Sequence, residues 1–352
     1  MAYKLAYIED LDPGSIMSDL SSVGFELTHI VPQTFEKLIE DISADSFDAI
    51  LLDFRLRQGD AKAKFDAPTI AQTYRTHSAT TGKHIPIVLI SSEKIISDFY
   101  ADFTSNDLFD LSIVKEELQK NLGKYASRIA DFIESYKSIE INNFDINKIL
   151  GNPVSESFVD YRIMERVNNT HHKKNVYKIS RLIFNTLVRS IGPLIGEDVL
   201  ASRLGVKKSS DGWVNLRDSF GDAKYKGVYS QSYDRWWARH IEQIADEKFK
   251  IPSLRRLKAQ DRVASLEAVG FKNLIAAERL KFAESTNFWT ICKEKIEPLD
   301  AIDGLELVSK EAIAWADMEY LSLLAAMESS PLNEFIKPDE MERFKEFQKT
   351  VK

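Results

Sequence analysis

One cysteine, Cys292, in 352 residues rules out an internal disulfide framework and fits a reducing compartment. Hydrophobic residues make up 44% of the chain, enough for sizeable cores, yet no apolar run approaches the length of a membrane-spanning helix. Met1-Ala2-Tyr3-Lys4-Leu5 leads straight into a strand pattern, so neither a span nor a signal peptide is expected, and the protein is expected to be cytoplasmic. Catalytic signatures are missing too. There is no Gly-rich nucleotide loop, no Gly-x-Ser-x-Gly elbow and no His-Glu-x-x-His helix.

What the chain does have is charge, unevenly placed. Residues 1–150 carry 15 Lys+Arg against 24 Asp+Glu, a net of -9; residues 151–262 carry 21 against 13, a net of +8; residues 263–352 carry 11 against 17, a net of -6. A basic middle between acidic ends can meet nucleic acid or dock on an acidic protein surface; +8 over that length is modest and favours protein docking. At this length two domains are expected.

The first 120 residues alternate short apolar runs with helical patterns, the mark of a parallel α/β sheet. The runs end on polar residues. Glu9-Asp10 follow Leu5 to Ile8, Asp53 closes Asp48 to Asp53, Ser91 follows Pro86 to Ile90, and Lys115 follows Ile113-Val114. Open α/β sheets build their sites at the carboxyl ends of strands, so these five positions should converge. Two or three carboxylates at one edge make a hard oxygen site suited to Mg²⁺. A carboxylate there can attack a phosphoryl donor, with a lysine ammonium compensating the charge on the transferring group.

On these residues, positions 3 to about 136 resemble the receiver domain of two-component response regulators. The resemblance implies a doubly wound, five-stranded parallel sheet, flavodoxin-like in the order 2-1-3-4-5, with Asp53 as phosphoacceptor. It implies Mg²⁺ held by Glu9, Asp10, Asp53 and the backbone carbonyl of Arg55, Ser91 as switch hydroxyl, Lys115 as phosphate contact, and a cognate histidine kinase as donor. The chain departs from the pattern in three places. Glu116 stands where a cis-bonded proline is usual, and a non-proline cis bond costs about 3 kcal/mol. Ser112 replaces a common aromatic, and Leu56 to Asp60 replace a Met-Pro type turn. The chemistry is therefore expected to be intact and the readout unusual.

Leu118, Leu122, Tyr125, Ile129, Phe132 or Ile133, and Tyr136 recur at spacings of three and four, which predicts one amphipathic helix over 116–138. It outruns the sheet, so its last turns are expected to join the second domain or to pair with another subunit. Breakers at Asn142-Asn143 and Gly151-Asn152-Pro153 set the expected division: a receiver over 1–138, a linker over 139–153 and a mostly α-helical domain over 154–352. Helices are expected near 155–168, 174–191, 195–204, 230–248, 253–268, 271–283, 310–328 and 338–349.

Three constellations in the tail compete for a role. Glu197 to Val206 resembles the first helix and turn of a helix-turn-helix, but the Lys207 to Gly212 stretch that follows breaks a recognition helix. Tyr233, Trp236, Trp237 and His240, interleaved with Arg235 and Arg239, can stack bases or form an interface, although paired tryptophans on a helix more often bury a face. His171-His172-Lys173-Lys174 lacks a ligand-spaced partner and reads as a solvated basic turn.

Receivers followed by such a tail look loosely similar to regulators in bacterial antiviral defence loci. Three outputs follow: protein interaction by the helical tail, acting by sequestration or as a phosphate sink; DNA binding through 155–262; or an enzyme gated by the receiver. The first is favoured, with no catalysis expected beyond phosphorylation and dephosphorylation of Asp53. A second regulator or a homodimer are further partners of that reading.

Overall fold

The computed structural model describes residues 2–44, 46–57, 63–92, 96, 108–152, 158–171, 174–309 and 313–351. They form two compact units, one of residues 1–152, 166–183 and 227–232, the other of 153–165, 184–226 and 233–352.

The first unit is built on five strands, β1 (Tyr3–Ile8), β2 (Phe25–Ile30), β3 (Ala49–Asp53), β4 (Ile87–Ser91) and β5 (Leu111–Val114), in the order β2-β1-β3-β4-β5. All neighbours run parallel, with Leu5 opposite Ala49 and Leu52 opposite Leu89. This is the expected sheet order. Burial explains the placing: β3 and β4 are buried at every residue, whereas the edge strand β2 alternates. Helices cover both faces. α2 (Phe35–Ala44) and α3 (Ala67–Thr81) supply Leu38, Ile42, Ile70 and Tyr74 over Ile8, Ile50, Leu52 and Leu89. On the other face, Ile16 and Leu20 of α1 (Gly14–Ser22) join Ile129 and Ile133 over Leu5, Leu51, Val88 and Ile90. The pattern after Ser91 predicts a further helix near Lys94 to Phe103; that stretch lies outside the described residues, except Ile96.

The long helix after β5 is interrupted. α4 (Lys115–Lys120) stops at Asn121, with φ -130 and ψ 44, and α5 (Leu122–Ile141) restarts at once. α5 has two buried faces. While Ile129 and Ile133 meet the sheet, Phe132, Tyr136 and Ile139 are also buried. α6 (Val176–Ile183) packs on α5, and the segment 227–232 lies beside it: Tyr229 N–H donates to Ser135 Oγ (2.9 Å), Ser232 N–H to Asp131 Oδ2 (2.8 Å), and the Phe132 and Tyr229 rings stand 4.9 Å apart. The apolar surplus of this helix is thus covered by its own chain.

Among its described residues the second unit is helix-rich with three two-stranded ladders, 194–195 with 236–237, 290–291 with 298–299, and 304–306 with 320–322. One core gathers Leu200, Leu204, Trp213, Leu216, Phe220, Trp236 and Ile241; another gathers Cys292, Leu305, Leu321 and Phe344. Several expected helices are shortened or absent. The 174–191 pattern is α6 followed by π-helical turns over Phe184–Val188, the 230–248 pattern is a short strand at Trp236–Trp237 leading into the helix Ala238–Glu247, and the 310–328 pattern keeps only the helix Leu323–Met327. Residues 271–283 form no helix; they run along the 205–212 turn, with Lys207 N–H donating to the Ile275 carbonyl and Ala277 N–H to that of Gly205. Gly205 permits this: its φ is +70, and a Cβ would come within 2.8 Å of Ala259 Cα.

Candidate phosphoacceptor and metal site

Parallel register sets the site. Ile8 pairs with Leu52 and Ser91 with Val114, so Glu9, Asp53, Ser91 and Lys115 leave neighbouring strands at one level. Glu9, Asp10, Asp53 and Ser91 are all buried, at 4%, 8%, 7% and 1% exposure. The carboxylates of Glu9, Asp10 and Asp53 place one oxygen each within 4.8 Å of the others, the one such acidic group with metal-ligand spacing among the described residues. Lys115 Nζ reaches Asp53 Oδ1 at 2.6 Å and Glu9 Oε2 at 2.8 Å. It does so although no described peptide bond is cis and Glu116 follows in the first turn of α4.

Further groups steady the carboxylates. Tyr7 Oη donates to Glu9 Oε2 at 3.1 Å, His29 Nε2 meets the Glu9 carbonyl oxygen at 2.9 Å, and Arg55 N–H donates to Asp53 Oδ2 at 3.1 Å. The first two escaped sequence reading. A signal existed: Tyr7 lies two residues before Glu9 on the same face of the pleat, and His29 pairs with Tyr7 across β1 and β2.

Electrostatics distinguish the site from a filled salt bridge. Burial raises the Asp53 carboxyl; Lys115 and Arg55 N–H oppose this and Asp10 adds to it. Burial works against the Lys115 ammonium, but its bonds to Asp53 and Glu9 outweigh that and hold its proton more tightly. The two shifts do not mirror one another as in a balanced pair. Glu9 and Asp53 share the one Lys115 ammonium, and the Asp10 carboxylate stands beside them. Such a buried cluster of hard oxygens fits a divalent cation like Mg²⁺.

The other candidates resolve differently. Trp236 and Trp237 are each 3% exposed, Tyr225 meets Trp237 edge-on at 5.7 Å, and His240 stacks on Phe158 at 4.7 Å, so this aromatic set is core. The helix Glu197–Leu204 forms, closed by Gly205, but the next helix, Trp213–Asp218, turns Trp213 and Leu216 inward and ties Arg217 to Glu197 and Asp218. His172 and Lys173 lie outside the described residues.

No family model matches the chain, and no curated protein matches it. Solved structures do. The chain is similar to the receiver domain of a sensor histidine kinase from Pseudomonas aeruginosa PAO1, which has a magnesium ion coordinated in its active-site cleft (18% identity, 38% of this chain and 99% of that one, TM-score 0.29). It is similar as well to a CheY-like receiver domain from Methylobacillus flagellatus (17% identity, 35% and 98%, TM-score 0.27). A third is the response regulator TrrA from Thermotoga maritima in complex with Mg²⁺ and BeF (17% identity, 35% and 97%, TM-score 0.27).

Proposed function

We propose that this protein is a phosphoacceptor response regulator of a two-component phosphorelay, receiving a phosphoryl group on Asp53 from a histidine kinase. The carrying observation is Lys115 Nζ set between Asp53 and Glu9 at a buried cluster of three carboxylates with metal-ligand spacing. In this reading an Asp53 carboxylate oxygen attacks phosphorus, the bond from phosphorus to the donor breaks with its electron pair leaving on the donor, and an acyl phosphate forms. Glu9, Asp10, Asp53 and the Arg55 carbonyl would hold Mg²⁺, which supplies charge compensation for the phosphoryl oxygens. Lys115 offers its ammonium to the same oxygens, and Ser91 a hydroxyl from the end of β4.

The output is assigned to protein contacts of the tail, by sequestration or as a phosphate sink. Supporting this over DNA binding, several cations of the basic middle are already committed: Lys207 to Glu278 (2.6 Å), Lys224 to Asp234 (2.7 Å), Arg203 to Asp317 (2.7 Å) and Lys208 to Asp198. Phosphate neutralisation needs such charges available. Incubation with a small-molecule phosphodonor and Mg²⁺ should label the wild type and leave Asp53→Asn unlabelled; equal labelling of both, or none of the wild type, would sink the assignment.

A further inference from the structure

The second unit contains a cavity of about 500 Å³, within the size range of small-molecule sites. Its walls come from distant stretches of chain. Arg203 rises from the helix Glu197–Leu204, Arg239 and Glu242 share one face of the helix Ala238–Glu247, Arg255 and Arg256 sit on a tight turn, and Trp289 and Trp315 close the apolar side.

Four guanidinia against the carboxylates of Asp160, Glu242 and Asp317 leave the lining one positive charge in excess. Two of those carboxylates are already used. Asp160 is held by Arg162 at 2.7 and 2.9 Å, outside the lining, and Asp317 by Arg203 at 2.7 Å. Arg239 is engaged as well, which leaves Glu242 against Arg255 and Arg256. Arg203 is 4% exposed, with its guanidinium 4.5 Å from the Trp289 ring centre and its Nε–H donating to the Trp289 carbonyl. Arg203, paired with Asp317, thus fixes the position of the Trp289 wall. The exposed Arg255 and Arg256 stand at the rim, Arg255 also over the Trp289 ring at 5.6 Å.

Two backbone features mark the cavity as constructed. Ser253, in its lining, is a non-glycine residue at φ 57, a conformation that costs energy and clusters at binding sites. At Gly192 a Cβ would fall 2.6 Å from the Trp315 carbonyl oxygen, so the absence of a side chain lets the Trp315 wall approach. Trp315 is locked there by donating its Nε1–H to the Thr186 carbonyl at 2.7 Å.

We propose that this cavity binds an organic phosphate of nucleotide size, with phosphates on the rim arginines and the organic part against Trp289 and Phe158. The volume exceeds what a lone phosphate fills, and the aromatic wall suits a planar group. The cavity shares no residue with the carboxylate site around Asp53, so the two readings fail independently.

Trp289 provides the readout. The full chain, kept in EDTA so that the acidic site takes no part, is titrated with ATP, AMP, inorganic phosphate and a short oligothymidylate, following tryptophan fluorescence and heat. ATP or AMP should give a saturable change, and Arg255→Gln combined with Arg256→Gln, both exposed positions, should weaken it about tenfold or more. Trp289→Phe should remove most of the fluorescence change while heat persists. No saturable binding of either nucleotide, undiminished binding in the double variant, or equal binding of inorganic phosphate alone overturns the proposal. Tighter binding of the oligonucleotide overturns it in favour of a nucleic-acid surface.

Discussion

The sheet of the first unit carries a buried charged cluster at each end, and the two are built to opposite rules. At the carboxyl ends of the strands, Glu9 and Asp53 share one ammonium and Asp10 stands beside them. At the amino ends of β4 and β5, one carboxylate, Asp110, has a full set of donors: Arg75 Nη2 at 2.5 Å, Ile87 N–H at 2.7 Å and Tyr136 Oη at 2.5 Å. Arg75 also donates to the Ile85 carbonyl at 3.0 Å and lies 3.9 Å from the Tyr177 ring centre. Although burial opposes its charge, Asp110 holds that guanidinium firmly protonated. One cluster gathers donors around a single carboxylate and joins α3, β4, β5, α5 and α6; the other gathers three carboxylates around a single lysine. Carboxylates crowded in this way are the arrangement that the proposed metal and phosphoryl chemistry calls for.

The sharpest way to break the contrast is the same isosteric change at both ends. Asp110→Asn strands the Arg75 guanidinium and should cost about 3 kcal/mol in denaturant unfolding; a loss below about 1 kcal/mol would mean that the cluster is not a structural tie. Next in size is the cation effect. Mg²⁺ at about a hundred times its dissociation constant should stabilise the wild type by about 2.7 kcal/mol. Asp10→Ala should lose most of that gain while keeping its circular dichroism, and an unchanged gain would remove Asp10 from the ligand set.

In metal-free buffer, Asp53→Asn should stabilise the protein by about 1 kcal/mol, because it takes one charge from three crowded carboxylates. Destabilisation of similar size would show that the Lys115 pair outweighs the repulsion. The smallest effect belongs to His84. Burial, helped by nearby Arg75, lowers its pKa from 6.5 to about 4. The folded state therefore binds fewer protons there than the unfolded one, and stability present above pH 6.5 drains away as pH falls toward 4. His84→Gln should flatten the stability slope across that window relative to wild type; parallel slopes would assign the acid loss to carboxylates alone.

Legibility in the sequence followed the range of the interactions. Each of these strand ends is marked by a run of two to six residues, so the positions of Glu9, Asp10, Asp53, Ser91 and Lys115 could be read one run at a time. The tail was read less well, for a physical reason. Residues 271–283 have apolar spacing that suits a helix, yet their backbone groups bond to the 205–212 turn, and such pairing across some seventy positions leaves no local trace. Trp236 and Trp237 looked like a helical pair and instead form a two-residue ladder with 194–195, so both rings are buried.

By itself the sequence determined the parallel strands and the polar residues at their carboxyl ends, because strand burial and strand termination are local properties; the strand order came with the resemblance to receiver domains. Only the tertiary structure decided how those residues are poised and what surrounds them. The pairing at that edge depends on which oxygens Lys115 reaches. The second face of α5 is covered by residues 176–183 and 227–232, and the arginine-lined cavity draws on segments more than a hundred residues apart. Those arrangements rest on side chains meeting across loops whose closure costs little more with length, so nothing in the neighbouring residues announces them.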